Sequence, residues 1–293
     1  MSISRQNLTV IIVTFKSENV IHNCLKSIDK DIKILIIDNS NSYEFKQNIE
    51  KKYENVSCIL SKNNSGMGAG NNLGIKNIKT DFAFILNPDV VLEPNSINYL
   101  IDDAKKLDDF GIVAPIEVNL DYPNYKKKDD LNNTFNEVFP FEVKSVDGYA
   151  MLINLKKLNL IENFVYFDEN FFMYLENDDF CKRLSQCNQN IYIIPKSKVK
   201  HLGAKAVSDE YAYEVELSRN WHWIWSRFYY NKKYSGFLYA LINGLPVFLS
   251  ATAKVLFYFF INKKKKQIYL QRCRGYLNAL FGKKSFYRPK INF

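Results

Sequence analysis

The stretch "DFAFILNPD", residues 81–89, carries the clearest signature of the fold. Five apolar residues, Phe82 to Leu86, end abruptly in Asn87, Pro88 and Asp89. A short apolar run bounded by turn residues reads as a strand buried on both faces. Such strands belong to parallel sheets covered by helices, and these sheets bind ligands beyond the carboxyl ends of their strands. A carboxylate placed there points into the crevice. Asn-Pro-Asp is also ordinary turn chemistry, so Asp89 alone does not choose between a turn and a site.

The flanking sequence repeats the pattern. Towards the N-terminus, "LTVIIVTF" (8–15), "IKILIIDNS" (32–40) and "VSCIL" (56–60) read as further strands. Between them, "VIHNCLKSI", "EFKQNIEKKY" and "AGNNLGIKNI" place apolar residues at helical spacing. Towards the C-terminus, "SINYLIDDAKKL" reads as helix and "FGIVAPIEV" as strand. Strands alternating with helices predict a mostly parallel, doubly wound α/β sheet. "LDYPNYKKKDDLNN" (120–133) reads as a mobile surface loop. "FEVKSVDGYAMLINLKKL" reads as strand, turn, strand and the start of a helix. In "FVYFDENFFMYLENDDFCKRLSQC" an apolar front gives way to a helix beginning near Asn177, and "IYIIPKSKVKHLG" reads as a final strand pair.

Composition narrows the class. The chain has 293 residues, of which 47% are hydrophobic and only 11 are Gly and 8 Pro, as in a globular protein of one large or two smaller domains. Five scattered cysteines without a CxxC suggest neither a zinc ribbon nor a disulfide framework, and fit a reducing cytoplasm. The opening "MSISRQNLTVIIVTF" reads as a first strand rather than a signal peptide. The net charge of +9 is uneven. From Arg219 onward lie 15 of the 40 basic residues and none of the 31 acidic ones, which leaves 25 basic against 31 acidic residues before it. The basic excess therefore sits in the last quarter, and it calls for an anionic partner. There, "GFLYALINGLPVFLSATAKVLFYFFIN" (236–262) is long enough to span a bilayer, yet it carries Asn243, Pro246 and Lys254 and is followed by four lysines. A spanning helix, a segment lying in the membrane interface and a buried helical hairpin remain open; aromatic residues with flanking lysines favour the interface.

Several polar positions could carry chemistry. Asp38 ends the second strand and could accept hydrogen bonds from a ribose or base, or cap the next helix. "NNSGMGAGNNLG" (63–74) is a glycine-rich stretch before a helix, which suggests phosphate contact. It lacks the Lys-Ser/Thr of a P-loop and has the wrong spacing and place for a dinucleotide fingerprint, so on spacing alone the signal is weak, and a flexible turn with an Asn cap is the plain alternative. His201 follows a strand and could share a hard divalent cation with Asp89. Glu176, Asp178 and Asp179 crowd a loop-to-helix junction, as helix-capping acids or as a carboxylate placed for proton transfer.

Taken in order, "VIIVTF", "CLKSI", "ILIIDNSNS", "NNSGMGAGNNLGI", "FILNPDV", "DGYAMLI", "FFMYLENDDFCKRL" and "VKHLGAKAVS" resemble the family 2 glycosyltransferases of the GT-A fold. The resemblance is strongest to the rhamnosyltransferase-like branch that builds bacterial surface polysaccharides, and it covers residues 8–208. It implies a GT-A nucleotide-sugar domain over 1–208 and a basic, aromatic helical region over 209–293. It also implies that Thr14, Glu18 and Asp38 line the nucleotide pocket and that Gly66 and Asn72 shape its floor. Asn87-Pro-Asp89 stands where the family has Asp-x-Asp, so Asp89 would bind Mg²⁺ or Mn²⁺ on the donor diphosphate, completed by His201. The catalytic base would come from Glu176, Asp178 or Asp179. The family reads Glu-Asp-x-Asp, whereas this chain has Asn177 at the second place, which favours Asp178 as base and leaves Asp179 an orienting role. The implied donor is dTDP-rhamnose or a UDP-sugar. The implied acceptor is a saccharide or polyprenyl-linked sugar at the inner face of the cell membrane, with the enzyme held there peripherally from the cytoplasm. No nucleic-acid partner is expected. Competing readings are a nucleotide-sugar binder that has lost catalysis through Asn177, a basic-tail nucleic-acid binder, and a nucleotidyltransferase, for which only Lys16 in "VTFKSEN" could contact a triphosphate.

Overall fold

A computed structural model describes residues 2–107, 109–128, 138–203, 207 and 209–290. Two compact units emerge: Met1–Phe167 with Asn177–Ser208, and Asp168–Glu176 with Asp209–Phe293. A division drawn at 208/209 therefore differs from the observed one by the segment Asp168–Glu176.

The first unit is built on a sheet that has nine strands among the described residues. Its leading half follows the alternation of the sequence: β1 (Leu8–Thr14), α1 (Ile21–Lys26), β2 (Lys33–Asp38), α2 (Tyr43–Lys52), β3 (Val56–Leu60), α3 (Met67–Asn77) and β4 (Phe82–Leu86). These strands are parallel and lie in the order β3-β2-β1-β4. Every residue of β1 is buried. Val10 and Ile12 enter the core on one face and Ile11 the core on the other, as the two-residue period of a strand requires. Each such side chain contributes roughly 1.5–3 kcal/mol when fully buried. The strand order reverses between β1 and β4, which opens the ligand crevice at their carboxyl ends.

Helix α3 explains half of the glycine-rich stretch. A Cβ on Gly70 would come within 2.7 Å of Val13, and one on Gly74 within 2.5 Å of Ile11. These glycines lie one turn apart on the face that meets β1. They serve close helix-on-sheet packing. Gly66, at φ 90°, starts the helix in a conformation suited to glycine.

The second half of the sheet is mixed. It contains β5 (Val90–Leu92), α4 (Ser96–Ala104), β6 (Ile112–Glu117), β8 (Phe141–Glu142), β10 (Ala150–Asn154), α5 (Leu155–Leu158), α6 (Glu176–Gln186) and β11 (Ile191–His201). The order continues β4-β10-β6-β11-β5, with β8 also on β11. Strand β10 runs antiparallel to both β4 and β6, and β5 and β8 antiparallel to β11, while β6 and β11 are parallel. β10 follows a short turn rather than a crossover helix, so it enters in the opposite sense. Where 120–133 reads as a loop, Tyr125–Lys126 form a strand, β7, paired with β9 (Ser145–Val146); residues 129–133 lie outside the described set. The expected final strand pair is one strand, β11, with a register shift between Ile194 and Lys198. Pro195 lacks a donor for the ladder there, and the bulge accommodates it without ending the strand. Helix α6 begins one residue before Asn177.

In the second unit, α7 (Ala212–Ser235), α8 (Phe237–Phe257) and α9 (Lys263–Leu280) pack pairwise. Gly236, at φ 86°, separates α7 from α8. Asn262 caps α9 by accepting from the Lys265 backbone N–H at 2.9 Å. Helix α8 buries Ala240 and Ala251 but leaves Leu238, Ile242, Leu245, Leu249, Leu256 and Phe257 exposed. An ordinary buried hairpin would cover them. By length and composition alone, α8 could cross a membrane.

Candidate active site

Register brings the polar ends of the strands together. Thr14 pairs with Asp38 across β1 and β2. The Thr14 hydroxyl donates to Asp38 Oδ1 at 3.1 Å. The backbone N–H groups of Ser40 and Ser42 donate to the same carboxylate at 3.2 and 2.9 Å. Asp38 is thus buried and doubles as the organiser of the following turn. Glu18 lies exposed in the turn after β1. Asn39 donates to the Gly66 carbonyl at 3.1 Å and fixes the start of α3. Asn72 exchanges hydrogen bonds with the backbone of Phe167 at 2.9 and 3.0 Å and so anchors the end of the first unit's leading segment.

Asp89 is the most telling residue. It is 2% exposed, and its Oδ1 has no hydrogen-bond partner. Its Oδ2 lies 3.4 Å from His201 Nε2. Asn87 Oδ1 is likewise buried without a partner. Leaving a carboxylate oxygen dry and unpaired costs several kcal/mol or more unless a cation or donor answers it. His201 is held from three sides. It lies beside Val90 in the β11–β5 ladder. Its backbone N–H donates to Glu117 Oε2 at 3.0 Å. Its ring stacks on Tyr149 with centroids 4.2 Å apart. The Tyr149 hydroxyl donates to the same Glu117 oxygen at 3.1 Å; burial, then the Glu117 charge, push the phenol well above its usual range, so it remains a neutral donor. A carboxylate, an amide oxygen and an imidazole suit a hard divalent ion such as Mg²⁺ or Mn²⁺. Among the described residues no group of three or more His, Cys, Asp and Glu could hold a metal. The donor set is therefore a partial one, of the kind that substrate phosphate oxygens complete.

The acid cluster divides by burial. Asp178 lies at the start of α6 and pairs with Lys126 on β7 at 2.6 Å. Asp179 is fully buried, pairs with Arg183 at 2.8 Å, and through it ties down the carbonyls of Val165 and Tyr166. It faces the interior and orients the helix, so its place in the core argues against proton transfer with a substrate. Asn177 donates to the Val146 carbonyl at 3.0 Å and packs against Gly148. Asp147, on the turn between β9 and β10, has its carboxyl pushed upward first by desolvation and then by Asp178, with Lys126 and His201 opposing. That coupling puts Asp147, Asp178, Lys126 and His201 within electrostatic reach of one another. Glu176 belongs with the second unit, where its charge reaches Tyr174.

Glu117, Asp147 and Tyr149 have no assignment from sequence. A signal existed for the first, an acid inside the apolar run "GIVAPIEV". The other two fall in "DGYAMLI", a stretch that carries the family resemblance but assigns neither residue a role.

The family model described as glycosyl transferase family 2 matches residues 9–167. The low-salt glycan biosynthesis hexosyltransferase Agl10 of Haloferax volcanii is 28% identical over 201 residues, 63% of this chain and 64% of that protein. The chain thus spans less than two thirds of that relative's length. The N-acetylglucosaminyl-diphospho-decaprenol L-rhamnosyltransferase of Mycobacterium tuberculosis is 23% identical over 234 residues, 66% of this chain and 75% of that one. Among solved structures, the mannosyltransferase PcManGT from Pyrobaculum calidifontis, in complex with GDP-Man and Mn²⁺, superimposes with a TM-score of 0.56 at 10% identity. It covers 95% of this chain and 88% of that one. At such low identity the likeness establishes the fold, GT-A.

Proposed function

The chain belongs to glycosyl transferase family 2, and from that premise we propose that it transfers a sugar from a nucleotide diphosphate to a saccharide or lipid-linked acceptor with inversion. The observation that carries this reading is the buried, partnerless Oδ1 of Asp89 beside His201, at the strand ends where an α/β sheet binds its ligand. Thr14, Asp38 and Glu18 line the nucleotide side. Asp89, His201 and Asn87 are the residues that would hold Mg²⁺ or Mn²⁺. A bound divalent ion supplies charge neutralisation for the leaving diphosphate.

The chain's own groups do the rest. An acceptor hydroxyl is a weak nucleophile and needs a carboxylate to take its proton as it attacks. Asp178 is partly open to solvent and is oriented by Lys126, so it is our base. Asp147 stands close enough to influence it. One base and a single displacement give inversion at the anomeric carbon. The donor we favour is dTDP-rhamnose, with a UDP-sugar as the alternative. The relative named as an L-rhamnosyltransferase supports the first, and its printed acceptor supports a sugar-diphospho-polyprenol. A peripheral seat on the inner membrane face is supported by the exposed apolar residues of α8 and by Lys263–Lys266.

Calorimetric titration of the protein with dTDP-rhamnose and UDP-sugars, with Mn²⁺ or with EDTA, tests the site. One donor is expected to bind with Mn²⁺ present. Asp89→Ala is expected to weaken that binding by tenfold or more and to remove its dependence on metal. Binding equally tight in EDTA would sink the assignment.

A further inference from the structure

The segment Asp168–Glu176 is held far more firmly than a connection needs. Asp168 accepts from the Tyr229 hydroxyl at 3.0 Å and pairs with Lys233 at 2.7 Å. The Asn170 carbonyl accepts from Ser285 Oγ at 2.6 Å, and the Met173 carbonyl from Ser226 Oγ at 2.8 Å. The Phe172 ring lies 4.4 Å from that of His222 and 3.8 Å from the Arg288 guanidinium. The next two residues, Tyr174 and Leu175, both adopt left-handed backbone conformations, with φ 71° and 67°. Non-glycine residues take such conformations at a cost, and they persist where the surroundings over-determine them, commonly at ligand sites.

The anchoring presents Tyr174 edge-on to Trp223, with ring centroids 5.3 Å apart and planes at 87°. Trp221 and Trp225 on the same helix are buried, but Trp223 is 43% exposed. Arg219 lies one turn before Trp223 on α7, hence on the same face, and its charge reaches the Tyr174 phenol, as does that of Glu176. A rigid, open indole with a perpendicular phenol, a guanidinium and a carboxylate is a surface for a sugar ring that carries an anionic group. The C–H face of a pyranose covers the indole, the guanidinium takes phosphate oxygens, and the carboxylate takes a hydroxyl.

We propose that Trp223, Tyr174 and Arg219 form the subsite for the acceptor, binding the sugar ring and diphosphate of a sugar-diphospho-lipid. The subsite rests on the transferase reading, and its Tyr174 stands four residues before the proposed base, Asp178, in the chain. The donor is also a sugar diphosphate, so the two sources must be told apart.

The test uses the full chain and a short-tailed isoprenyl diphospho-N-acetylglucosamine as probe. Steady-state kinetics on Trp223→Ala are expected to show an acceptor KM raised about tenfold, the scale of an aromatic contact, with the donor KM held. Trp223→Phe should recover most of the loss. Arg219→Gln should abolish the preference for the probe over the same sugar without diphosphate. An unchanged acceptor KM in Trp223→Ala, or an equal rise in the donor KM, would overturn the subsite. Should no donor be turned over, the transferase reading fails separately, and equilibrium binding still decides. The probe is expected to quench indole emission in the native chain and not in Trp223→Phe; the same quench in both would refute the proposal.

Discussion

At the scale of single residues, burial separates groups that the sequence makes look alike. Asp178 and Asp179 are neighbours, yet one opens toward Lys126 and the other is sealed against Arg183. His201 and His222 differ in the same way. His222 is fully buried, packs at a tilt against the Phe172 ring and donates from Nε2 to the Tyr287 carbonyl at 2.7 Å. Burial drives its pKa down to about 3. The sign follows directly: the unfolded chain takes up a proton near pH 6.5 and the folded one does not. Stability is therefore full above about pH 6.5 and is lost at roughly 1.4 kcal/mol per pH unit as the pH falls toward 3. All three tryptophans, 221, 223 and 225, lie in this unit, so indole emission during urea unfolding at pH 7 and pH 5 reads the effect. His222→Gln, which keeps a donor near Nε2, should flatten that slope; an unchanged slope would place the titrating group elsewhere. Asp89 and His201 drew a reading because each ends a predicted strand, and the structure sets them 3.4 Å apart. Asp147 and Tyr149 drew none as single residues, because Tyr149 meets the His201 ring only once β10 has inserted antiparallel beside β4.

At the scale of elements, apolar periodicity located nearly every strand and helix of the leading half, since fully buried strands read as unbroken apolar runs. It left open what depends on partners. Helical spacing placed Gly70 and Gly74 on a helix, but their packing on β1, in place of a phosphate contact, shows only in three dimensions. Gly74→Ala puts a methyl group 2.5 Å from Ile11 Cγ2. Overpacking of this kind costs about 1–3 kcal/mol, and the gain in helix propensity offsets only about 1 of it. A net loss of roughly 1–2 kcal/mol is expected in a urea titration followed by far-ultraviolet circular dichroism. Amide exchange should speed up in α3 and β1, and tryptophan emission from the other unit should be unaffected. A stabilised variant would show that α3 has room to retreat. The single bulged β11 was equally hidden, because Pro195 reads locally as a break and only its neighbours β6 and β5 carry the strand through.

At the scale of the whole molecule, the charge split pointed to a distinct C-terminal region, but no local pattern could assign Asp168–Glu176 to the second unit. That membership depends on contacts with residues more than fifty positions away, such as Ser226 and Ser285. The outward face of α8 and the lysines at 263–266 make a concrete forecast for membranes. Anionic vesicles should carry the protein upward in flotation, neutral ones much less. Replacing Lys263–Lys266 by glutamine should weaken association at least tenfold, given about 1 kcal/mol per lysine near an anionic surface. Equal flotation of the glutamine variant would remove the electrostatic role.

Release of nucleotide diphosphate is the most direct test of the catalytic reading. The protein would be offered dTDP-rhamnose, UDP-sugars and GDP-mannose, each with Mg²⁺, Mn²⁺ or EDTA and a sugar-diphospho-polyprenol acceptor. Metal-dependent release from one donor is predicted, lost in Asp89→Ala and reduced at least a hundredfold in Asp178→Asn, the scale of a general base. Release that persists in Asp89→Ala, or no release from any donor, would contradict it.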